Sequence, residues 1–293
     1  MYAHQRCTPK LSDKDYGNRL INHYLENHFK TPKNFECYLY VSQILQAEGV
    51  KKGIEVYRQN MKDKYCMGTL YWQINDCWPA ASWSSIDYYG NWKALHYYVK
   101  DSYKPIIITF ESLCDSINIH LVSDSIERKK ALLSLKLIDF SGNCLKEESL
   151  DVDIKSNTSY IIHSVKKSDL LKSSKGNRDI LLYCSLVDSK NNIIAKNIFY
   201  LDRLKNLNLL KPTISTNIIK SNNNYIIKLI SDKLAKNVYL EFENLQGYFS
   251  NNFFDLLPNN EIEILYKKTN TIENKNSSNV RLKIITLYDS YTN

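Results

Sequence analysis

The sequence predicts a multidomain α+β protein, in which a helical and aromatic N-terminal part precedes two antiparallel, immunoglobulin-like β-sandwiches. The chain has 293 residues, which is more than a single hydrophobic core usually serves. Apolar residues recur at helical spacing before Lys104, whereas they alternate with polar residues after Pro105. Clusters of Asn, Ser and Gly separate the alternating runs at intervals that suit sandwich strands. We therefore divide the chain into residues 1–104, 105–203 and 204–293.

The first predicted elements are two amphipathic helices separated by Thr31-Pro32. Apolar residues recur every three to four positions from Leu20 to His28, and again from Phe35 to Leu45. Asn34 is placed to cap the second helix, because its side chain can accept a backbone N–H of the first turn. The same spacing predicts further helices through Ile54–Met61 and after Trp92.

An apolar run from Tyr65 to Trp72 does not alternate with polar residues. This pattern is typical of a strand that is buried on both faces, as in a parallel sheet or a barrel. A polar and aromatic loop, Gln73–Pro79, follows the run. The predicted order in the first part is therefore helix, strand, loop and helix.

In the second and third parts, apolar residues recur every two positions, which is typical of strands with one solvent-exposed face. The clearest alternating apolar sets are Leu133, Leu135 and Leu137; Val238, Leu240 and Phe242; and Ile262 and Ile264. The weakly patterned stretch from Asp202 to Pro212 is the best candidate for a linker.

Composition and charge exclude several classes of protein. The net charge of +8 is divided evenly on either side of Lys104, so no basic domain indicates a nucleic-acid partner. The seven cysteines are odd in number and contain no Cys-x-x-Cys, which argues against a disulfide framework and a structural zinc site. We recognise no signal peptide and no membrane-spanning segment, so we expect no membrane partner, and the compartment stays open.

The candidate binding residues are found near the four tryptophans, which all lie in the segment from Trp72 to Trp92. For Trp83 and Trp92, packing in an aromatic core is the simpler interpretation. Trp72 and Trp78 instead flank Asn75 and Asp76 at the end of the predicted strand. A sugar requires such a set, because its C–H face stacks on indole and its hydroxyl groups need oriented donors and acceptors.

The sequence around these tryptophans resembles the end of the catalytic barrel in β-mannosidases of glycoside hydrolase family two. The matching segments are Met67–Pro79, Ser82–Tyr88 and Gly90–Tyr97, supported upstream by His4-Gln5-Arg6, Gly17-Asn18 and Tyr40–Ala47 and downstream by Asn252–Pro258. The resemblance implies that residues 1–104 are the C-terminal remnant of a (β/α)8 TIM barrel, with its last helices and its eighth strand.

The resemblance also implies roles for the four residues at the strand end. Trp72 would line the subsite that holds the mannose ring being cleaved, and Asn75, Asp76 and Trp78 would shape its rim. For Asp76 the alternative is a loop carboxylate that caps backbone N–H groups. The implied substrates are β-mannoside oligosaccharides, from which terminal non-reducing β-D-mannose is released with retention and without a cofactor or a metal ion.

The family's two catalytic glutamate motifs are not found in their expected contexts. The sole Asn-Glu pair, Asn260-Glu261, opens an alternating strand, and no glutamate in the first hundred residues precedes an aromatic-Gly-Phe sequence. A closed barrel requires eight strands and about 250 residues. Residues 1–104 supply one predicted strand. We therefore expect a C-terminal fragment that is inactive alone and whose partner is the missing N-terminal part of the enzyme.

Two alternatives stay open at the level of sequence. The sandwiches could form a carbohydrate-binding or structural module of their own, although they contain no tryptophan. The chain could also be one half of a split glycosidase that a separate polypeptide completes. The sequence leaves open whether Met1 is the true start.

Overall fold

The computed structural model describes residues 16–174, 176–222, 224–269 and 280–291. The resemblance at His4-Gln5-Arg6 lies outside these residues. The chain divides into two compact units. The first unit contains the described residues up to Glu48, then Trp72–Tyr98, then the described residues from Leu209 onward; the second contains Gly49–Tyr71 and Val99–Asn208. The described part of 1–104 thus contributes to both units, and the boundaries at residues 104 and 203 stay predictions.

The predicted helices are present, with one difference. Within the described ranges, the α-helices are α1 (Tyr16–His28), α2 (Phe35–Gln59), α3 (Ala94–Ser102) and the short α4 (Lys167–Leu171). Asn34 caps α2 as predicted, because its Oδ1 accepts the backbone N–H of Cys37 at 2.9 Å. The separate helix predicted through Ile54 is instead the second half of α2, which continues because no proline interrupts it after Phe35.

The described residues of the second unit form a sandwich of seven strands. They are β1 (Ile106–Leu113), β2 (Ser116–Ser123), β3 (Lys129–Asp139), β4 (Cys144–Ile154), β5 (Thr158–Lys166), β6 (Ile180–Val187) and β7 (Ile193–Tyr200). One sheet has the antiparallel order β1-β2-β5, and the other has the order β4-β3-β6-β7. The alternating leucines of β3 point into the core between the sheets, as their two-residue period predicts.

The first unit contains a second sandwich. Its strands are β8 (Ile214–Ser221), β9 (Asn224–Ser231), β10 (Ala235–Phe242), β11 (Gly247–Phe249), β12 (Phe254–Leu256), β13 (Ile262–Lys268) and β14 (Leu282–Ile285). The sheet orders are β11-β13-β9-β8 and β12-β10-β14. Its core includes Leu240 and Ile264, both predicted to face inward. The helical part of this unit meets β10 where the buried Tyr40 hydroxyl of α2 donates to the carbonyl of Asn237 at 2.5 Å.

The strand predicted from Tyr65 to Trp72 is wrong for this chain. The structure assigns no strand to this segment, and its residues are exposed or half-buried rather than buried on both faces. An apolar run becomes a strand only where neighbouring strands satisfy its backbone groups, and no strand among the described residues pairs with this one.

Within the described part of the chain, no helix has the length and apolar character needed to cross a membrane.

Candidate substrate-binding site

The four tryptophans and all four predicted site residues lie in one irregular segment of the first unit, Trp72–Trp92. Short backbone contacts fold this segment back on itself. The N–H of Ser85 donates to the carbonyl of Gln73 at 3.1 Å, and the N–H of Ile86 donates to that of Ile74 at 2.8 Å. Ile86 also forms isolated bridges to Asn75 and Trp92. The segment therefore has a defined path although it contains no regular strand.

A tight turn at Asp87–Asn91 closes the segment. The Oδ1 atom of Asp87 accepts the backbone N–H groups of Tyr89 and Asn91 at 2.9 and 2.8 Å, and its Oδ2 atom accepts Nδ2 of Asn91. Gly90 has a φ of +84°, which favours glycine. The same aspartate-to-asparagine pattern closes the turns at Asp139–Asn143 and Asp188–Asn192 of the second unit. The turn is therefore encoded locally.

Asp76 lies at the centre of a polar cluster inside the segment. The hydroxyl groups of Ser82 and Ser84 donate to separate carboxylate oxygens of Asp76, each at 2.6 Å. The Lys93 ammonium lies 3.3 Å from Oδ2 of Asp76 and 2.8 Å from the Ser84 hydroxyl. Only 7% of the Asp76 side chain and 17% of the Lys93 side chain are exposed. We call these four residues the Asp76 cluster.

The electrostatics of the cluster favour a charged carboxylate. Burial raises the pKa of Asp76, but the hydrogen bonds from Ser82 and Ser84 and the charge of Lys93 outweigh it, so the pKa lies below its ordinary value. Asp76 is therefore ionised at neutral pH. Its carboxylate accepts side-chain donors here, whereas the sequence alternative had it capping backbone N–H groups.

The indoles differ in how far they project into solvent. Trp72 is 76% exposed, Trp78 is 54% exposed and Trp83 is 49% exposed. Trp92 is half-buried and stacks on Tyr248 with ring centroids 4.6 Å apart. The core packing expected for Trp92 is therefore present, whereas that expected for Trp83 is wrong, because its ring lies half in solvent.

The remaining predicted site residue, Asn75, is exposed. Its carbonyl accepts Nε2 of Gln73 at 2.8 Å, and its Nδ2 donates to the carbonyl of Asp76 at 3.3 Å. Trp72, Asn75 and Trp78 thus present side chains to solvent, whereas the Asp76 carboxylate is turned into the loop. Among the described residues, no group of three or more His, Cys, Asp or Glu side chains is placed to hold a metal ion.

The sequence does not identify Ser82, Ser84 and Lys93 as the partners of Asp76. A signal for Lys93 was present, because it is the single Lys or Arg between Lys64 and Lys100. A carboxylate in a polar and aromatic loop requires a partner when it is buried, and one basic residue was available nearby in sequence. The two serines gave no such signal, because exposed loops commonly contain serine.

Two family models match the sandwiches. Residues 115–206 match the Mannosidase Ig/CBM-like domain, and residues 209–290 match the Ig-fold domain of mannosidases. These matches confirm the immunoglobulin-like part of the predicted fold class, whereas nothing confirms the barrel remnant.

Relatives match most of this chain but a smaller part of their own length. A β-mannosidase of Capra hircus is 31% identical over 255 residues, covering 81% of this chain and 29% of the relative. β-Mannosidase A of Aspergillus oryzae is 29% identical over 259 residues, covering 82% and 28%. The chain therefore spans less than a third of the curated relatives that it matches.

Solved structures also match most of this chain but a smaller part of their own length. A β-D-mannosidase from Dictyoglomus thermophilum superposes with a TM-score of 0.78 at 27% identity, covering 93% of this chain and 32% of that one. An exo-chitosanase of Amycolatopsis orientalis superposes with a TM-score of 0.69 at 15% identity, covering 92% and 36%, and shares the fold alone.

Proposed function

We propose that this chain, which is related to the β-mannosidases of glycoside hydrolase family two, contributes one wall of the sugar-binding pocket in such an enzyme. We call this surface, formed by Trp72, Asn75 and Trp78, the sugar-binding wall. The whole enzyme would release terminal non-reducing β-D-mannose from oligosaccharides with retention. The observation that carries this proposal is the exposure of Trp72 and Trp78 on a segment whose path is fixed by hydrogen bonds. Exposed apolar side chains that cluster on an ordered loop mark a surface that meets a ligand or a partner.

The proposed roles follow from the chemistry of each side chain. Trp72 offers an indole face to the C–H groups of the mannose ring, and Trp78 extends the apolar wall. Asn75 offers both a donor and an acceptor to a sugar hydroxyl group. Asp76, for which the resemblance implies a place on the rim with these residues, would contribute by holding the loop.

The finer proposal is that residues 1–104 belong to a barrel that the remainder of the enzyme completes. The exposed apolar side chains on α1 support it, because Leu20, Ile21 and Tyr24 are more than a third exposed. Leu70 in the segment without a strand is fully exposed. Retaining hydrolysis requires two carboxylates about 5–5.5 Å apart. In this proposal both come from the remainder, so the chain alone is inactive.

Hydrolysis of para-nitrophenyl β-mannoside tests this function. We expect no turnover from the purified chain, and turnover when an N-terminal remainder from a matching β-mannosidase is co-expressed with it. Trp72→Ala should then abolish most of the restored activity, whereas Trp83→Ala, a half-exposed indole with no assigned role, should retain it. Turnover by the chain alone that is lost on Trp72→Ala would contradict the proposed inactivity.

A second candidate function is a carbohydrate-binding module without catalysis, favoured by the Ig/CBM-like description of the model that matches residues 115–206. The two functions differ in where sugar binds. Titration of mannobiose into the whole chain and into the Trp72→Ala/Trp78→Ala double variant separates them. Saturable binding that survives the double substitution would favour the module, and binding lost with the indoles would favour the sugar-binding wall.

A further inference from the structure

The Asp76 cluster joins parts of the segment that are distant in sequence. Asp76 lies near the start of the segment and Ser82 and Ser84 lie in its middle, whereas Lys93 is the residue that precedes α3. Lys93 is also fixed through its backbone, because its N–H donates to the carbonyl of Ser85 at 3.0 Å. The cluster therefore acts as a side-chain cross-link between the two ends of the loop.

Each tryptophan of the protein lies close in sequence to this cross-link. Trp83 stands between Ser82 and Ser84, Trp92 is adjacent to Lys93, and Trp78 follows Asp76 by two residues. Trp72 precedes Asp76 by four residues, and its neighbour Gln73 accepts the N–H of Ser85. A change in the cluster would thus alter the backbone that carries every indole.

The Asp76 carboxylate has little capacity left for a sugar. Three donors already bind it, its side chain is 7% exposed, and two of its contacts are only 2.6 Å long. Short hydrogen bonds to a charged acceptor are strong and directional. A sugar hydroxyl group would have to displace one of these donors to reach the carboxylate.

We propose that Asp76 and Lys93 are positioning residues, whose buried ion pair, closed by Ser82 and Ser84, sets the orientation of the Trp72 and Trp78 indoles. The significance of this arrangement for sugar binding rests on the function proposed above. The positioning role does not rest on that function, because the fluorescence of the indoles reports their environment in the absence of any ligand. The two ideas can therefore fail separately.

Tryptophan fluorescence of the whole chain tests the positioning role. All four tryptophans lie in the segment, so emission excited selectively at the indole band reports on this segment alone despite the 22 tyrosines. In a background in which Trp83→Phe and Trp92→Phe leave Trp72 and Trp78 as the emitting indoles, we expect Asp76→Asn and Lys93→Met each to shift the emission and to change its quenching by acrylamide. The double variant should change no more than the larger single one, because both substitutions disable the same pair.

A matched control separates this effect from a general loss of charge. Lys104 and Asp101 form an ion pair at 2.7 Å in which both side chains are more than half exposed. Asp101→Asn should leave tryptophan emission unchanged, since exposed pairs contribute little. Far-UV circular dichroism of each variant shows whether the sandwiches remain folded.

The outcomes decide the proposal. Altered tryptophan emission with native circular dichroism, absent in the control, supports it. Unchanged emission and quenching in both single variants would overturn it. If Asp76→Asn unfolds the chain, the milder Ser82→Ala/Ser84→Ala variant replaces it, and unchanged emission there would overturn the proposal equally. A positive optical result without mannobiose binding in the co-expressed complex would refute the sugar-binding function and leave the positioning role standing.

Discussion

Two apolar runs of eight residues, Ile180–Val187 and Tyr65–Trp72, reach different structures in this molecule. The first forms β6, and six of its residues are buried, including Leu181 and Leu182 on opposite faces. The second has no strand, and its Leu70 is fully exposed. β6 lies between β3 and β7, so both edges of its backbone are paired. The comparison shows that an apolar run becomes a strand only where partners are present.

Hydrogen exchange should give the largest difference between the two runs. Amides of β6 pair on both sides, so we expect them to exchange only through global unfolding, about 10⁴-fold or more slower than free amides. Amides of Met67–Leu70 should exchange close to the free rate. Equal protection of both runs, measured by mass spectrometry of peptides, would show that the amides of the second run are also hydrogen-bonded in solution.

Truncation of one leucine in each run should separate their contributions to stability. Leu186 is fully buried, so Leu186→Ala should lower the free energy of unfolding by about 2–5 kcal/mol. Leu70→Ala should change it by less than about 0.5 kcal/mol, because the side chain is already in water. Urea unfolding measures both, and a large loss at Leu70 would show that the segment packs in solution.

Each run also contains one cysteine, which offers a chemical probe. Cys184 is buried, and burial raises the pKa of its thiol well above the ordinary value. Cys66 is half-buried, with its thiol 3.5 Å from the carbonyl of Gly68. We expect iodoacetamide to label Cys184 at least about a hundredfold more slowly than Cys66, since the thiolate is the reactive form. Similar labelling rates in the native chain would contradict the burial of β6.

Two glycine substitutions should give the smallest difference in the free energy of unfolding. One lies in a hydrogen-bonded turn, and the other lies in the segment without a strand. Gly142 has a φ of +97° in the Asp139 turn, so Gly142→Ala should cost about 1–2 kcal/mol. At Gly68 an added methyl group would meet no atom within 4 Å, so Gly68→Ala should cause no loss of stability. Thermal unfolding compares the two, and an equal cost at both positions would remove the distinction.

The candidate site, like the two apolar runs, combines features that the sequence predicts with features that depend on contacts formed in the folded chain. The tryptophans, Asn75 and Asp76 could be named from the sequence, because residue type and order carried the signal. The separation of Asp76 from the exposed indoles could not, because the burial of a carboxylate depends on which donors reach it. Lys93 lies 17 residues from Asp76 in the chain, and only folding of the segment brings its ammonium to 3.3 Å.

Local spacing along the chain encodes the features that depend on neighbouring residues. The Asn34 cap, the three aspartate-closed turns, the helices and the alternating strands all follow from spacings of a few residues. Which apolar run pairs with neighbouring strands, and which polar groups hydrogen-bond to Asp76, depends on contacts between distant parts of the chain. The reason is physical: a cap or turn satisfies its own hydrogen bonds locally, whereas a strand or a buried charge requires partners that the local sequence does not contain.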